Sequence, residues 1–103
     1  MLRILNTQTR TKEDFRPLDP TGRSVRIYTC GPTVYDSLHL GHARATVVPD
    51  VVRRYLQYRG YQVRYVTNLT DVEDKIIKRA LAEGRDWREI AATYAEEFHR
   101  VMG

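Results

Sequence analysis

Apolar and polar residues alternate in two stretches of the chain, residues 25–30 (VRIYTC) and residues 61–68 (YQVRYVTN). Alternation with a period of two, rich in β-branched and aromatic residues, is typical of β-strands. Gly31 and Pro32 follow the first stretch and end it. We therefore predict one strand in each stretch.

Helical spacing replaces this alternation between the two predicted strands. Apolar residues recur at intervals of three and four along one face: Val48, Val51, Val52 and Tyr55. With Gly60 as a stop signal, the pattern predicts an amphipathic helix over residues 42–59. Pro49 falls inside this helix. Because an interior proline costs about 3 kcal/mol, we expect a kink or a late helix start.

Two further helices are predicted beyond the second strand. Thr70 and Glu73 have the spacing of a capping box, which opens a helix that ends at Gly84. Asp86 has the position of an N-cap for a last helix, which extends to residue 102.

The order strand, helix, strand, helix predicts an α/β fold, with a βαβ unit of parallel strands joined by a right-handed crossover. In open sheets of this kind, ligands bind at the carboxyl ends of the strands. The segments CGPT and NLTD follow the two predicted strands. We therefore expect both segments to face one shared crevice.

The chain divides into two parts within a single domain, which its 103 residues suit. Short apolar positions mix with polar ones over residues 1–10, and Pro17, Pro20 and Gly22 then interrupt the chain. We predict an amino-terminal arm and loop over residues 1–24, with a short strand or extended arm before the loop. Residues 25–103 form the α/β unit.

The composition excludes several classes of protein. Hydrophobic residues make up 42% of the chain and charged residues 29%, which is typical of a globular protein. No apolar run approaches the roughly 20 residues that span a bilayer, and the start lacks a signal peptide's apolar stretch, so we expect a cytoplasmic location. The net charge of +4 suits a polyanion such as RNA or a phosphate-bearing cofactor, although the basic residues are scattered.

Cys30 is the single cysteine of the sequence, so it forms no internal disulfide. It is a buried thiol, a metal ligand or a nucleophile. Free cysteine is among the most buried residue types, which favours the first interpretation. Its position at the end of a strand beside a glycine raises the alternative of a zinc ligand, and further ligands must then come from elsewhere.

The segment HLGH contains His39, Gly41 and His42 at the mouth of the first predicted helix. Backbone N–H groups and the helix dipole favour phosphate there, and glycine allows a ligand to approach the backbone closely. The imidazoles can donate hydrogen bonds to a triphosphate as charge builds up. The alternative is that His39 belongs to the loop and His42 caps the helix. A zinc pair is less favoured by the spacing.

Three carboxylates, Asp71, Glu73 and Asp74, cluster at the start of the second predicted helix. Such a cluster is consistent with magnesium ligands or with paired carboxylates for acid and base catalysis. Carboxylates in a first helical turn also stabilise the helix dipole, and we favour this capping interpretation.

Taken in order, YTCGPTVYDSLHLGHARA, DVVRRYLQYRGYQVRYV and TNLTDVEDKIIKRA closely resemble the amino-terminal part of cysteinyl-tRNA synthetases. These are class I aminoacyl-tRNA synthetases with a Rossmann-type catalytic domain. The resemblance extends to the opening segment NTQTRTKEDFRPL. It implies that residues 25–103 are a Rossmann-type nucleotide-binding half-domain, the amino-terminal half of the catalytic domain.

The resemblance also implies site residues. HLGH corresponds to the class I signature usually spelled HIGH, so His39, Gly41 and His42 would bind ATP, which comes with Mg²⁺, and the two histidines would be catalytic. Cys30 would be a zinc ligand. Gly31 and Thr70 would line the pocket for the substrate cysteine.

The family's remaining zinc ligands, its lysine loop (KMSKS) and its anticodon-binding helices are expected beyond residue 103. We therefore expect a fragment of a larger ligase that joins cysteine to tRNA(Cys) with ATP, acts as a monomer and has no membrane partner. The fragment alone is expected to be catalytically incomplete and to hold no tightly bound zinc.

Two alternatives remain open from the sequence. Mycothiol cysteine ligase, a relative that passes activated cysteine to an amino sugar, shares the CG pair, the HLGHA spelling and the threonine. DKIIKRA and the NTQTRTKEDF start favour the tRNA enzyme. The second alternative is a remnant that binds nucleotide and catalyses nothing.

Overall fold

The computed structural model describes residues 2–103, and Met1 lies outside the described residues. Four strands and three helices follow in chain order: β1 (Arg3–Asn6), β2 (Thr11–Asp14), β3 (Ser24–Thr29), α1 (Leu40–Tyr58), β4 (Gln62–Thr67), α2 (Asp74–Glu83) and α3 (Trp87–Met102). The strands form two separate two-stranded sheets, β1 with β2 and β3 with β4.

The central feature is the parallel pair β3 and β4, joined through α1. The register runs from Ser24 opposite Gln62 to Thr29 opposite Thr67. Both strands lie within one residue of their predicted ends. The α/β class and the parallel βαβ unit are therefore confirmed.

The amino-terminal segment forms an antiparallel hairpin, with Arg3 opposite Asp14 and Asn6 opposite Thr11. Arg10, in the turn, has a φ of 59°. The strand within residues 1–10 is present, but the prediction of a loop after it is wrong for β2. All four residues of β2 are exposed, so no alternation of apolar and polar positions indicates this strand.

Helix α1 starts two residues earlier than predicted, because His39 serves as its N-cap. Pro49 lies inside the helix. Proline has no N–H and cannot donate to the carbonyl of Ala45 one turn earlier, yet the helix continues past it. The expectation of a late start caused by Pro49 is therefore wrong.

Helix α2 begins at Asp74, with Glu73 as its N-cap accepting from the Lys75 N–H at 2.8 Å. The predicted capping box with Thr70 is wrong, because Thr70 pairs with Thr33 in an isolated parallel bridge and so lies outside the helix. The predicted end of α2 is confirmed by its left-handed C-cap glycine. The N-cap of α3 is Asp86, as predicted.

The buried core lies between α2, α3 and the segment after β3. Its members are Val34, Ile76, Ala80, Ile90 and Ala91. The molecule as a whole is elongated, with extents of 54 × 28 × 26 Å and a radius of gyration of 17.5 Å. A compact domain of this length has a radius near 13 Å.

Candidate functional site

The segments after β3 and β4 are hydrogen-bonded to each other. The Gly31 N–H donates to Asn68 Oδ1 at 2.6 Å. One residue further along, the Thr70 N–H donates to the Pro32 carbonyl at 3.1 Å, and the Val34 N–H donates to the Thr70 carbonyl at 3.1 Å. The carboxyl ends of the two strands thus meet at one edge, where the topology places a crevice.

Gly31 is required at this edge because two backbones approach closely. A Cβ added to Gly31 would clash with the backbone carbonyl oxygen of Asn68, and Thr67 Oγ1 would lie 3.2 Å away. Only a residue without a side chain fits this space without moving the β4 end.

Cys30 is exposed, so the interpretation as a buried thiol is wrong. The reason is the alternation of buried and exposed side chains along β3. Val25 is buried and Ile27 and Thr29 are half-buried, whereas the residues between and after them are exposed. Cys30 continues the exposed set.

His39 and His42 form a reciprocal capping box at the start of α1. The Gly41 N–H donates to His39 Nδ1 at 3.0 Å, and the His39 N–H donates to His42 Nδ1 at 3.1 Å. The ring centroids lie 3.9 Å apart. Because each Nδ1 accepts a hydrogen bond, each neutral ring carries its proton on Nε2, which is left as a donor.

The capping interpretation of HLGH is borne out with a different cap residue. His39 is the N-cap of α1, and His42, which was expected to be the cap, is the third helical residue and accepts from the His39 N–H. A Cβ added at Gly41 would lie 2.7 Å from His39 Cε1, so a larger residue there would displace the His39 ring. The space beside Gly41 that we expected a ligand to use is thus occupied by the His39 ring.

A cleft of about 770 Å³ lies between the β3 end, the first turns of α1 and the end of α3. Of the predicted site residues, it brings together Cys30, Gly31 and His42. His39, Gly41 and Thr70 are outside the cleft lining. His39 packs against His42 with ring centroids 3.9 Å apart, and the Thr70 N–H donates to the Pro32 carbonyl, so both residues contact segments that line the cleft.

Asp50, Arg53 and Arg54 also contribute to the cleft, and the sequence interpretation missed them. Arg53 donates to Asp50 Oδ1 at 2.6 Å and Arg54 to Oδ2 at 2.7 Å. Hydrogen bonds from Arg54 and Arg53 lower the pKa of Asp50. The spacing of three and four residues on a helix was the available signal.

The acidic cluster has the role of capping. Glu73 is the N-cap of α2 and Asp74 lies in its first turn, as the capping interpretation requires. Asp71 is exposed and precedes the helix, which corrects its placement in the first turn.

Within residues 2–103, no three His, Cys, Asp or Glu side chains are grouped so that they could hold a metal ion. The exposed thiol of Cys30 is a suitable soft ligand, but zinc needs three or four protein ligands. The described residues therefore do not form a zinc site by themselves. Among them, no helix is long and apolar enough to cross a membrane.

The family model described as "tRNA synthetases class I (C) catalytic domain" matches residues 16–103. The chain is 52% identical over 103 residues to a cysteine–tRNA ligase of Aeropyrum pernix, covering 100% of this chain and 21% of that protein. It is 54% identical over 106 residues to a cysteine–tRNA ligase of Methylococcus capsulatus, covering 100% and 22%. A third relative, from Thermodesulfovibrio yellowstonii, is 50% identical over 101 residues, covering 98% and 20%.

The α/β chain, with its parallel βαβ unit and a cleft at the strand ends, has the fold class of a class I synthetase catalytic domain. The chain belongs to the family of class I tRNA synthetase (C) catalytic domains, and the resemblance to cysteinyl-tRNA synthetases is confirmed. The chain spans about a fifth of the length of the cysteine–tRNA ligases that it matches.

Proposed function

We propose that the whole protein containing this chain is a cysteine–tRNA ligase that forms cysteinyl-adenylate from cysteine and ATP and then esterifies tRNA(Cys). One observation carries the proposal: Cys30, Gly31 and His42 line the same cleft. The shared cleft supports a site in which the proposed amino-acid side lies next to the proposed ATP side. Family membership supports the reaction class.

His39 and His42 are proposed to act on the ATP phosphates. Their Nδ1 atoms are engaged by the backbone, which leaves each Nε2 as the donor. In-line attack of the cysteine carboxylate on the α-phosphorus spreads negative charge over the phosphate oxygens. Donors held in place before the reaction stabilise that charge without reorganisation.

The cysteine pocket is proposed to involve Cys30, Gly31 and Thr70. The backbone bonds of Thr70 to the segment after Gly31 hold the two strand ends together. This arrangement positions the carboxylate for attack, and positioning supplies much of the catalysis in such a reaction. Zinc, Mg²⁺, a monomeric state and a cytoplasmic location stay predictions for the whole protein.

The test uses the full-length protein with two readouts. Exchange of pyrophosphate into ATP should depend on cysteine and not on serine. Labelled cysteine should then be transferred to tRNA(Cys) and not to an amino sugar. Exchange with serine but not cysteine contradicts the proposal, and transfer to the amino sugar favours the mycothiol ligase relative.

A further inference from the structure

The side chain of Asn68 lies at the junction of the two strand ends. The β3–β4 ladder stops at Thr29 opposite Thr67, and pairing resumes only at Thr33 opposite Thr70. Between these pairs the chain has a gap in its backbone hydrogen bonding, in which Pro32 has no N–H to donate. Asn68 Oδ1 fills that gap by accepting from Gly31 at 2.6 Å.

We infer that Asn68 is a positioning residue for the amino-acid side of the cleft, an inference that rests on the proposed function. Its side-chain carbonyl takes the place of a backbone acceptor and fixes the turn that presents Cys30. Cys30 is then held on both sides, by the last ladder pair at Thr29 and by the Asn68 bond at Gly31.

The backbones of Gly31 and Asn68 approach each other closely. A Cβ on Gly31 would collide with the backbone carbonyl oxygen of Asn68, so the two segments have no room for a side chain at Gly31. Asn68 and Gly31 are both half-buried. Leaving the half-buried Gly31 N–H without its acceptor costs free energy, so the segment around Gly31 is expected to move until this N–H finds another partner.

The mouth of α1 is held by separate contacts. Its capping bonds run between His39, Gly41 and His42 and do not include Asn68. Loss of the Asn68 side chain should therefore displace the Cys30 turn while the histidines keep their geometry. The expected effect falls on cysteine binding and spares ATP binding.

The experiment compares three variants of the full-length protein in pyrophosphate exchange. Asn68→Ala should raise the KM for cysteine about tenfold and change the KM for ATP less than about twofold. Asn68→Asp keeps an oxygen acceptor and should restore the KM for cysteine to within about threefold of wild type. Asn6→Ala is the matched control, since Asn6 Oδ1 accepts from the Gln8 N–H at 3.0 Å in the distant hairpin.

Hydrogen–deuterium exchange supplies a readout independent of activity. The peptide that contains Gly31 should exchange faster in Asn68→Ala and return toward wild type in Asn68→Asp. Unchanged exchange and unchanged KM for cysteine in Asn68→Ala overturn the inference. An equal rise in both KM values that Asn68→Asp does not reverse also overturns it, since it shows a merely structural role. If wild type shows no cysteine-dependent activity, the proposed function fails, and exchange at Gly31 still decides the role of Asn68.

Discussion

Helix α1 and the pair α2 and α3 are all amphipathic, yet they bury their apolar residues to different degrees. Of α1, only Leu56 is buried, and Val47, Val48, Val51 and Val52 are exposed. The other two helices bury a shared cluster, Ile76 and Ala80 of α2 with Ile90 and Ala91 of α3, and α3 also buries Phe98. Among the described residues, the buried core is therefore on the α2–α3 side, while the candidate site residues His39 and His42 lie at the start of α1.

Side chains of α2 and α3 hold the loop that precedes the start of α1. Glu97 on α3 accepts from the Leu38 N–H at 3.2 Å, directly before His39. Arg79 on α2 donates to the Tyr35 carbonyl at 2.8 Å and pairs with Asp36 at 2.8 Å. The position of the start of α1 therefore depends on the α2–α3 core.

The largest effect on stability is expected at the centre of the core. Ile90→Ala should lower the free energy of unfolding by about 2–5 kcal/mol, because a fully buried side chain leaves a cavity. Val51→Ala on the exposed face of α1 should change it by about 0.5 kcal/mol or less. Urea unfolding of both variants of the chain measures the difference. Equal changes in the free energy of unfolding would show that α1 and the α2–α3 pair bury their apolar side chains to the same extent.

Acidification should weaken the anchor between the loop and α2. A hydrogen bond from Arg79 lowers the pKa of Asp36 and that of Glu83. The folded carboxyls therefore bind protons less readily than the unfolded ones, so their contribution is complete above the unfolded pKa of about 4 and is lost as pH falls through the folded pKa. Arg79→Met should flatten this loss of stability in acid unfolding curves.

Arg100→Met is the control for that experiment, because Arg100 is exposed on α3. Its acid unfolding curve should match that of wild type. The account of the loop anchor is contradicted if Arg79→Met keeps the full acid dependence.

A smaller effect is expected at Glu97. Glu97→Leu removes the acceptor for Leu38 and for the Ser37 hydroxyl and should cost about 0.5–1.5 kcal/mol. Hydrogen exchange should also speed up in the loop before α1. Glu96→Leu, an exposed neighbour on the same helix, is the matched control. Identical exchange in Glu97→Leu and Glu96→Leu would show that the position of the loop does not depend on α3.

Much of the fold is predictable because apolar and polar residues alternate regularly along β3 and β4. Residues 25–30 and 61–68 show the period of two, and the helix between them follows from apolar spacing and a stop glycine. Strand β2 is not predictable, since its four exposed polar residues pair only with β1 and form no buried face.

The site is less predictable than the fold. Topology places the segments after β3 and β4 together, and the structure joins them. The exposure of Cys30 depends on the phase of β3, and the role of Asn68 depends on a gap in pairing that only the three-dimensional register reveals. The capping-box pattern wrongly assigns Thr70 to the start of α2, because the pattern does not show that the backbone of Thr70 is paired with Thr33.

The central claim is that the mouth of α1 supplies donors for adenylation and not only a helix cap. Cysteine-dependent pyrophosphate exchange by the full-length protein tests it directly, with His39→Ala and His42→Ala compared with Asp86→Ala. Asp86→Ala removes the N-cap of α3, whose carboxylate accepts from the Arg88 N–H at 2.8 Å, and Asp86 itself does not line the cleft. We predict a fall of about 10²–10³ in the exchange rate for each histidine variant, and a change within about threefold for Asp86→Ala. Histidine variants that lose no more activity than Asp86→Ala would contradict the claim.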